Sequence, residues 1–128
     1  MSSTSVNPVD FDALMKAHLA GVFNERDPVH RMTALKDLYT EDATFFEPAT
    51  VVSGHSAISG AVDALQASMP PQFVFTALGP AVGHHGVARL RWSAGPPGGP
   101  AAVTGTDVAQ FDERRIKRLH VFLDPEPG

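Results

Sequence analysis

Phe11, Leu14/Met15, His18/Leu19 and Val22 follow one another at spacings of three and four, which predicts an amphipathic helix over about residues 9–24. Asp27-Pro28 then offers an N-cap followed by a proline at the first helical position. The helix it opens would turn Val29, Met32, Leu35, Leu38 and Tyr39 inward and end at Thr40-Glu41-Asp42. A strand at about 43–47 and a short extended piece at 50–52 come next. Ser53-Gly54-His55-Ser56 reads as a turn whose last serine caps a third helix, about 57–69, burying Ile58, Val62, Leu65 and Met69 and stopped by Pro70-Pro71. Beyond it the period changes to two. Four stretches, 73–78, 86–94, 101–111 and 116–123, alternate or run apolar, and the breaker-rich 95–100 is a hairpin loop. No internal repeat is visible.

Helices followed by a long run of strands predict an α+β domain: three helices packed on one face of a curved, mostly antiparallel sheet that forms a cone-shaped barrel. The mouth of such a cone is a natural ligand site. One domain over 9–124 is expected, with tails at 1–8 and 125–128. At 128 residues the chain can bury roughly two-thirds of its unfolded surface.

Composition narrows the function classes. The absence of cysteine excludes disulfides, thiolate catalysis and Cys-ligated zinc. A formal charge of −4 argues against nucleic-acid binding, and the basic run 114–118 reads as a solvated strand edge. The first eight residues lack a basic start and an apolar run, and no stretch approaches the roughly 20 apolar residues of a membrane span. A cytoplasmic protein without a membrane partner is expected.

Two carboxylates stand out. Asp107 shares a strand face with Val103, Ala109 and Phe111, and Glu47 shares one with Ala43 and Phe45. Acids are rarely buried without a partner or a task, so two on apolar strand faces predict a pocket. His18 falls on the apolar stripe of the first helix, and His120 lies between Leu119 and Val121 on a strand whose register the sequence leaves open. Trp92 is a core residue or a flat wall for a ring-shaped ligand, while Arg89 and Arg91 alternate away from it, toward solvent or a partner subunit. His55, His84 and His85 sit in turns; adjacent strand residues face opposite ways, so the last two make no metal pair, and no metal site is expected. Neither a phosphate-binding loop nor a Ser/His/Asp nucleophile pattern emerges, so any chemistry is proton transfer.

The order of elements, with the segments 38–45, 54–58 and 116–124, resembles the nuclear transport factor 2-like superfamily, whose topology is cystatin-like, and within it the SnoaL-like and ketosteroid-isomerase-like proteins. That resemblance implies a small-molecule acid/base enzyme (isomerase, cyclase or related lyase) acting on an apolar carbonyl or ring compound in a conical pocket. It places Glu47, before Pro48, as the general base and a protonated Asp107 as donor to the developing oxyanion. The family's second donor is a tyrosine on the first helix; here that region holds His18 and Leu19, and His18 is the expected substitute. Phe45, Trp92, His120, Leu19 and Phe111 are the expected ligand-binding residues. No cofactor is needed, and a homodimer is expected by analogy. Two alternatives remain: a non-catalytic domain binding a small apolar ligand or a protein, and an epoxide-hydrolase-like site requiring Arg89 or Arg91 beside Asp107.

Overall fold

The structure, a computed structural model, describes residues 9–125, so most of the two expected tails lies outside it. Helix α1 (Phe11–His18) starts where the Asp10 carboxylate accepts the Ala13 N–H at 3.0 Å. It runs on as a π-helical turn, Leu19–Phe23, closed by the Asn24 N–H on the Leu19 carbonyl at 3.0 Å. Asp27 caps α2 (Pro28–Leu38) through the Val29 N–H at 2.9 Å, with Pro28 at the first turn as its sequence predicts. Two details differ from the sequence reading. Val29 is exposed, the buried positions being Arg31, Leu35 and Leu38, and Tyr39 opens strand β1 (Tyr39–Glu47) rather than closing the helix.

Strand β2 (Thr50–Ser53) returns along β1 and leads to α3 (His55–Ala67). Gly54, not Ser56, holds the cap position, at a φ of 89° that only glycine adopts without strain. The remaining strands are β3 (Val74–Ala77), β4 (Val82–His84), β5 (Val87–Gly95), β6 (Val103–Asp112) and β7 (Arg115–Leu123). Their order is β2-β1-β7-β6-β5-β3, with β4 beside β5, so the curved sheet is open rather than a closed barrel.

The sheet is also mixed. β5, β6 and β7 form the expected antiparallel meander, but β1 lies parallel to β7. The basic run 114–118 therefore enters an interior strand, not an edge, and Arg118 donates to Gln110 on neighbouring β6 at 3.0 Å. Alternation fixes the faces. Ala88, Leu90, Trp92 and Ala94 of β5 and Gly105, Asp107, Ala109 and Phe111 of β6 are buried under the helices, with Leu90 paired to Asp107 and Trp92 to Gly105. A register shift between Gln110 and Phe111 changes the parity of β7, so Ile116 and Leu119 both point inward. Asn24 ties the end of the π-helical turn to β3 by exchanging side-chain hydrogen bonds with the Phe75 backbone at 2.8 and 2.7 Å.

Candidate functional site

A cavity of about 310 Å³ opens between the π-helical turn, α3 and the inner face of the sheet. Phe23, Phe45, Phe75 and Trp92 wall it. Their rings meet edge to face, with centroids 5.7 Å apart for Phe23–Phe45 and Phe23–Phe75 and 5.3 Å for Phe75–Trp92. Leu19, Leu65 and Met69 extend the apolar lining. Among the described residues two acidic side chains reach the cavity, Asp107 and Glu47. Asp107 is 2% exposed, whereas Glu47 is half-buried and accepts from the Thr50 hydroxyl at 2.9 Å.

Asp107 belongs to a buried relay. The Trp92 indole N–H donates to Oδ1 at 2.8 Å; Oδ2 lies 2.8 Å from His18 Nε2, and His18 Nδ1 lies 2.7 Å from the Tyr39 hydroxyl. The direction of these bonds follows from the far end. Among the described residues His18 Nδ1 is the only partner of the buried Tyr39 O–H. Leaving that proton unbonded would cost about 1–3 kcal/mol. The hydroxyl therefore donates, Nδ1 accepts, the imidazole proton sits on Nε2, and Nε2–H donates to Asp107. Both carboxyl oxygens are thus acceptors, and no buried side-chain polar atom among the described residues lacks a partner.

Burial, and after it the charge of Asp107, push the Tyr39 phenol well above its ordinary value near 10. Because the folded state binds this proton more tightly, the contribution to stability is complete below about pH 10 and is lost as pH rises toward the folded value. The chain has one tyrosine, so phenolate absorbance reads Tyr39 alone. An alkaline titration should show no ionisation of the folded protein at pH 10 and then a step coincident with unfolding. Titration near 10 with the fold intact would contradict this geometry.

Gly105 makes room for the indole. A Cβ there would stand 2.5 Å from Trp92 Cζ2 and 2.6 Å from the Phe122 carbonyl oxygen, so even alanine displaces the ring or the strand. Gly105→Ala should break the Trp92–Asp107 bond, and emission from this single tryptophan should shift measurably while helical content is retained. An unchanged spectrum would show that the ring is not held there.

The profile of the SnoaL-like domain family matches residues 15–119. The chain belongs to the SnoaL-like family. No curated protein matches it. It is similar in structure to a candidate isomerase of the SnoaL-like family from Agrobacterium tumefaciens, with a TM-score of 0.80 and 26% identity over 88% of this chain and 96% of that one. A candidate polyketide cyclase from Sinorhizobium meliloti superposes with a TM-score of 0.66 at 21% identity, covering 88% of this chain and 95% of that one. A candidate ketosteroid isomerase from Kribbella flavida gives 0.64 at 14% identity over 91% and 82%. The nuclear transport factor 2-like fold expected from the sequence is the fold observed.

In this SnoaL-like protein Glu47, Asp107, Phe45, Trp92 and Leu19 line one cavity, and His18 stands behind Asp107 rather than on the wall. Two expected ligand-binding residues lie elsewhere. His120 is turned to the outer face of the sheet, stacked on Phe46 with centroids 4.3 Å apart, because the shifted register gives the inner face to Leu119, Val121 and Leu123. Phe111 packs edge-on against Phe11 at 5.1 Å and does not line the cavity. Arg89 and Arg91 are exposed, and Arg91 pairs with Asp124, so neither guanidinium joins Asp107 as an epoxide-hydrolase-like relay requires. His84 and His85 do not diverge: a φ of 52° at His85 ends the strand alternation and brings their Nδ1 atoms to 2.8 Å. Sequence reasoning missed Tyr39 and Phe23 as parts of the site; Phe75 belongs to a set of phenylalanines that the sequence reads as core with some lining the cavity, and it does line it. Among the described residues no helix is long and apolar enough to cross a membrane.

Proposed function

We propose that this protein is a small-molecule acid/base enzyme of the isomerase or cyclase type, working on a compact, mainly apolar ring or carbonyl compound in the aromatic cavity. The observation that carries this reading is Asp107: a carboxylate facing an apolar cavity, with both oxygens fixed by Trp92 and His18. Such a group is aimed and ready to accept a proton, and pre-set geometry is a large part of what general-base catalysis needs. The roles implied by family resemblance are thereby exchanged. Asp107, an acceptor on both oxygens, removes the proton. Glu47, half-buried at the mouth and with Thr50 as its only side-chain partner among the described residues, returns one at a second position. His18 is a positioning residue, and Tyr39 fixes its tautomer. The aromatic wall holds the ring and excludes water. Together the two carboxylates complete a proton shift without a cofactor.

The test is deuterium incorporation from heavy water into a panel of small ring ketones and imines, followed by NMR, comparing wild type with Asp107→Asn and Glu47→Gln. Deuterium uptake by wild type that depends on Asp107 supports the reading.

A second reading, a non-catalytic ligand-binding domain, draws on one observation: among the described residues no side chain lining the cavity offers it a free hydrogen-bond donor. It expects tight binding of apolar ligands and no exchange with any of them.

A further inference from the structure

The polar groups of the cavity are one-sided. Its lining includes the carboxylates of Glu47 and Asp107 and, among the described residues, no lysine, arginine or histidine. One side-chain hydroxyl, that of Ser68, also lines it, but its proton goes to the Leu65 carbonyl at 2.7 Å. The Trp92 N–H is committed to Asp107. Arg31, though fully buried, directs its N–H groups to Glu25, Ser59, Asp63 and Gln66 between α2 and α3. A ligand oxygen that gains negative charge therefore finds no side-chain donor in the cavity. A ligand that brings positive charge finds two carboxylates and the faces and edges of four aromatic rings, the surroundings that stabilise ammonium groups.

We propose that the ligand of this site is a compact apolar ring compound carrying a cationic nitrogen, a protonated amine or iminium. This rests on the reading of the cavity as the substrate site and names the substrate class for it. At about 310 Å³ the cavity is at the small end for ligand pockets, which fits a single ring with a short substituent.

An iminium also resolves the missing donor. Asp107 takes a proton from the carbon next to the C=N⁺ group. The electron pair of the broken C–H bond forms a C=C bond, and the C=N π pair settles on nitrogen. The product is a neutral enamine and Asp107 in its acid form. Charge is cancelled instead of moved onto an oxygen, so the step needs no oxyanion donor. Where the iminium is β,γ-unsaturated, the product is a dienamine; a proton from Glu47 at its γ-carbon moves the C=C bond into conjugation, restores the C=N⁺ group and completes an isomerisation.

The experiment compares three ligands of matched shape at neutral pH: N,N-dimethylbenzylamine as the cation, isobutylbenzene as the neutral analogue and phenylacetate as the anion. Binding is followed by calorimetry and by Trp92 emission. The amine is expected to bind about tenfold or more tightly than the hydrocarbon. Phenylacetate should not bind measurably, and Glu47→Gln, a half-exposed change that leaves the core intact, should reduce the preference for the amine. Equal binding of amine and hydrocarbon would overturn the proposal while leaving the cavity as an apolar ligand site. Deuterium exchange on a neutral ketone by a protein indifferent to the amine would likewise remove it and leave the acid/base reading standing. Failure of all three to bind, with no exchange on any substrate, would overturn both.

Discussion

Replacing Arg31 by methionine should destabilise the protein by about 3–5 kcal/mol, the range for taking one member out of a buried charged network. Arg31 is wholly buried. Its Nε and Nη2 donate to the Glu25 carbonyl at 3.0 and 2.7 Å, Nη2 also to Gln66 Oε1 at 2.9 Å, and Nη1 to the Ser59 carbonyl and hydroxyl at 3.1 Å and to Asp63 at 2.7 Å. Methionine fills much of the volume but satisfies none of these acceptors, and those that stay buried without a partner cost about 1–3 kcal/mol each. Asp63 is not the main loss, because its side chain is 52% exposed and returns to water cheaply. Asp63→Asn should therefore cost no more than about 1 kcal/mol. Urea denaturation of both variants is the measurement. A loss of equal size in the two would mean that the ion pair, not the web of backbone and amide acceptors, is what Arg31 supplies. The damage should reach the cavity as well. Arg31 orients Gln66, whose amide donates to the Phe23 and Glu25 carbonyls at 3.0 Å, and Phe23 is a wall of the site.

Most of the fold was legible because strand faces obey a period of two and helical stripes a period near 3.6, and both depend on local spacing alone. Asp107 was found for that reason: an acid at an inward position of β6 contradicts its neighbours. Arg31 was not, since a helical stripe says nothing about acceptors supplied by the loop before α2 and by α3. Tyr39 was hidden by Glu41 and Asp42, exposed residues that interrupt the pattern between Tyr39 and the buried Ala43 and Phe45 where β1 shifts register against β7. His120 was misplaced for a related reason. One extra residue in β7 opposite Gln110 and Phe111 reverses every side chain beyond it, and nothing in the strand's own sequence marks the spot. Residues whose place depends on a bulge or on a distant partner are the ones that spacing could not assign.

Asp107→Asn should lower deuterium exchange by about 10²–10⁴-fold, the usual contribution of a positioned general base. Asparagine keeps the shape and can still accept the Trp92 N–H, but its neutral amide is far too weak a base to take a substrate proton. The amide N–H₂ would then face His18 Nε2, so the imidazole must move its proton to Nδ1, leaving the Tyr39 hydroxyl without its acceptor. That rearrangement costs about 1–3 kcal/mol of stability and leaves the fold in place, which Trp92 emission and circular dichroism verify. Glu47→Gln supplies the contrast. At the half-buried mouth it disturbs one hydroxyl partner, Thr50, and removes only the group that returns the proton. If Asp107 is the base, exchange disappears in Asp107→Asn and survives, slowed, in Glu47→Gln, because exchange requires removal of the proton while the second carboxylate can be replaced by water. The opposite outcome, exchange lost in Glu47→Gln and kept in Asp107→Asn, would restore the division of roles that family resemblance implies and make the relay behind Asp107 a structural support for a donor rather than for a base.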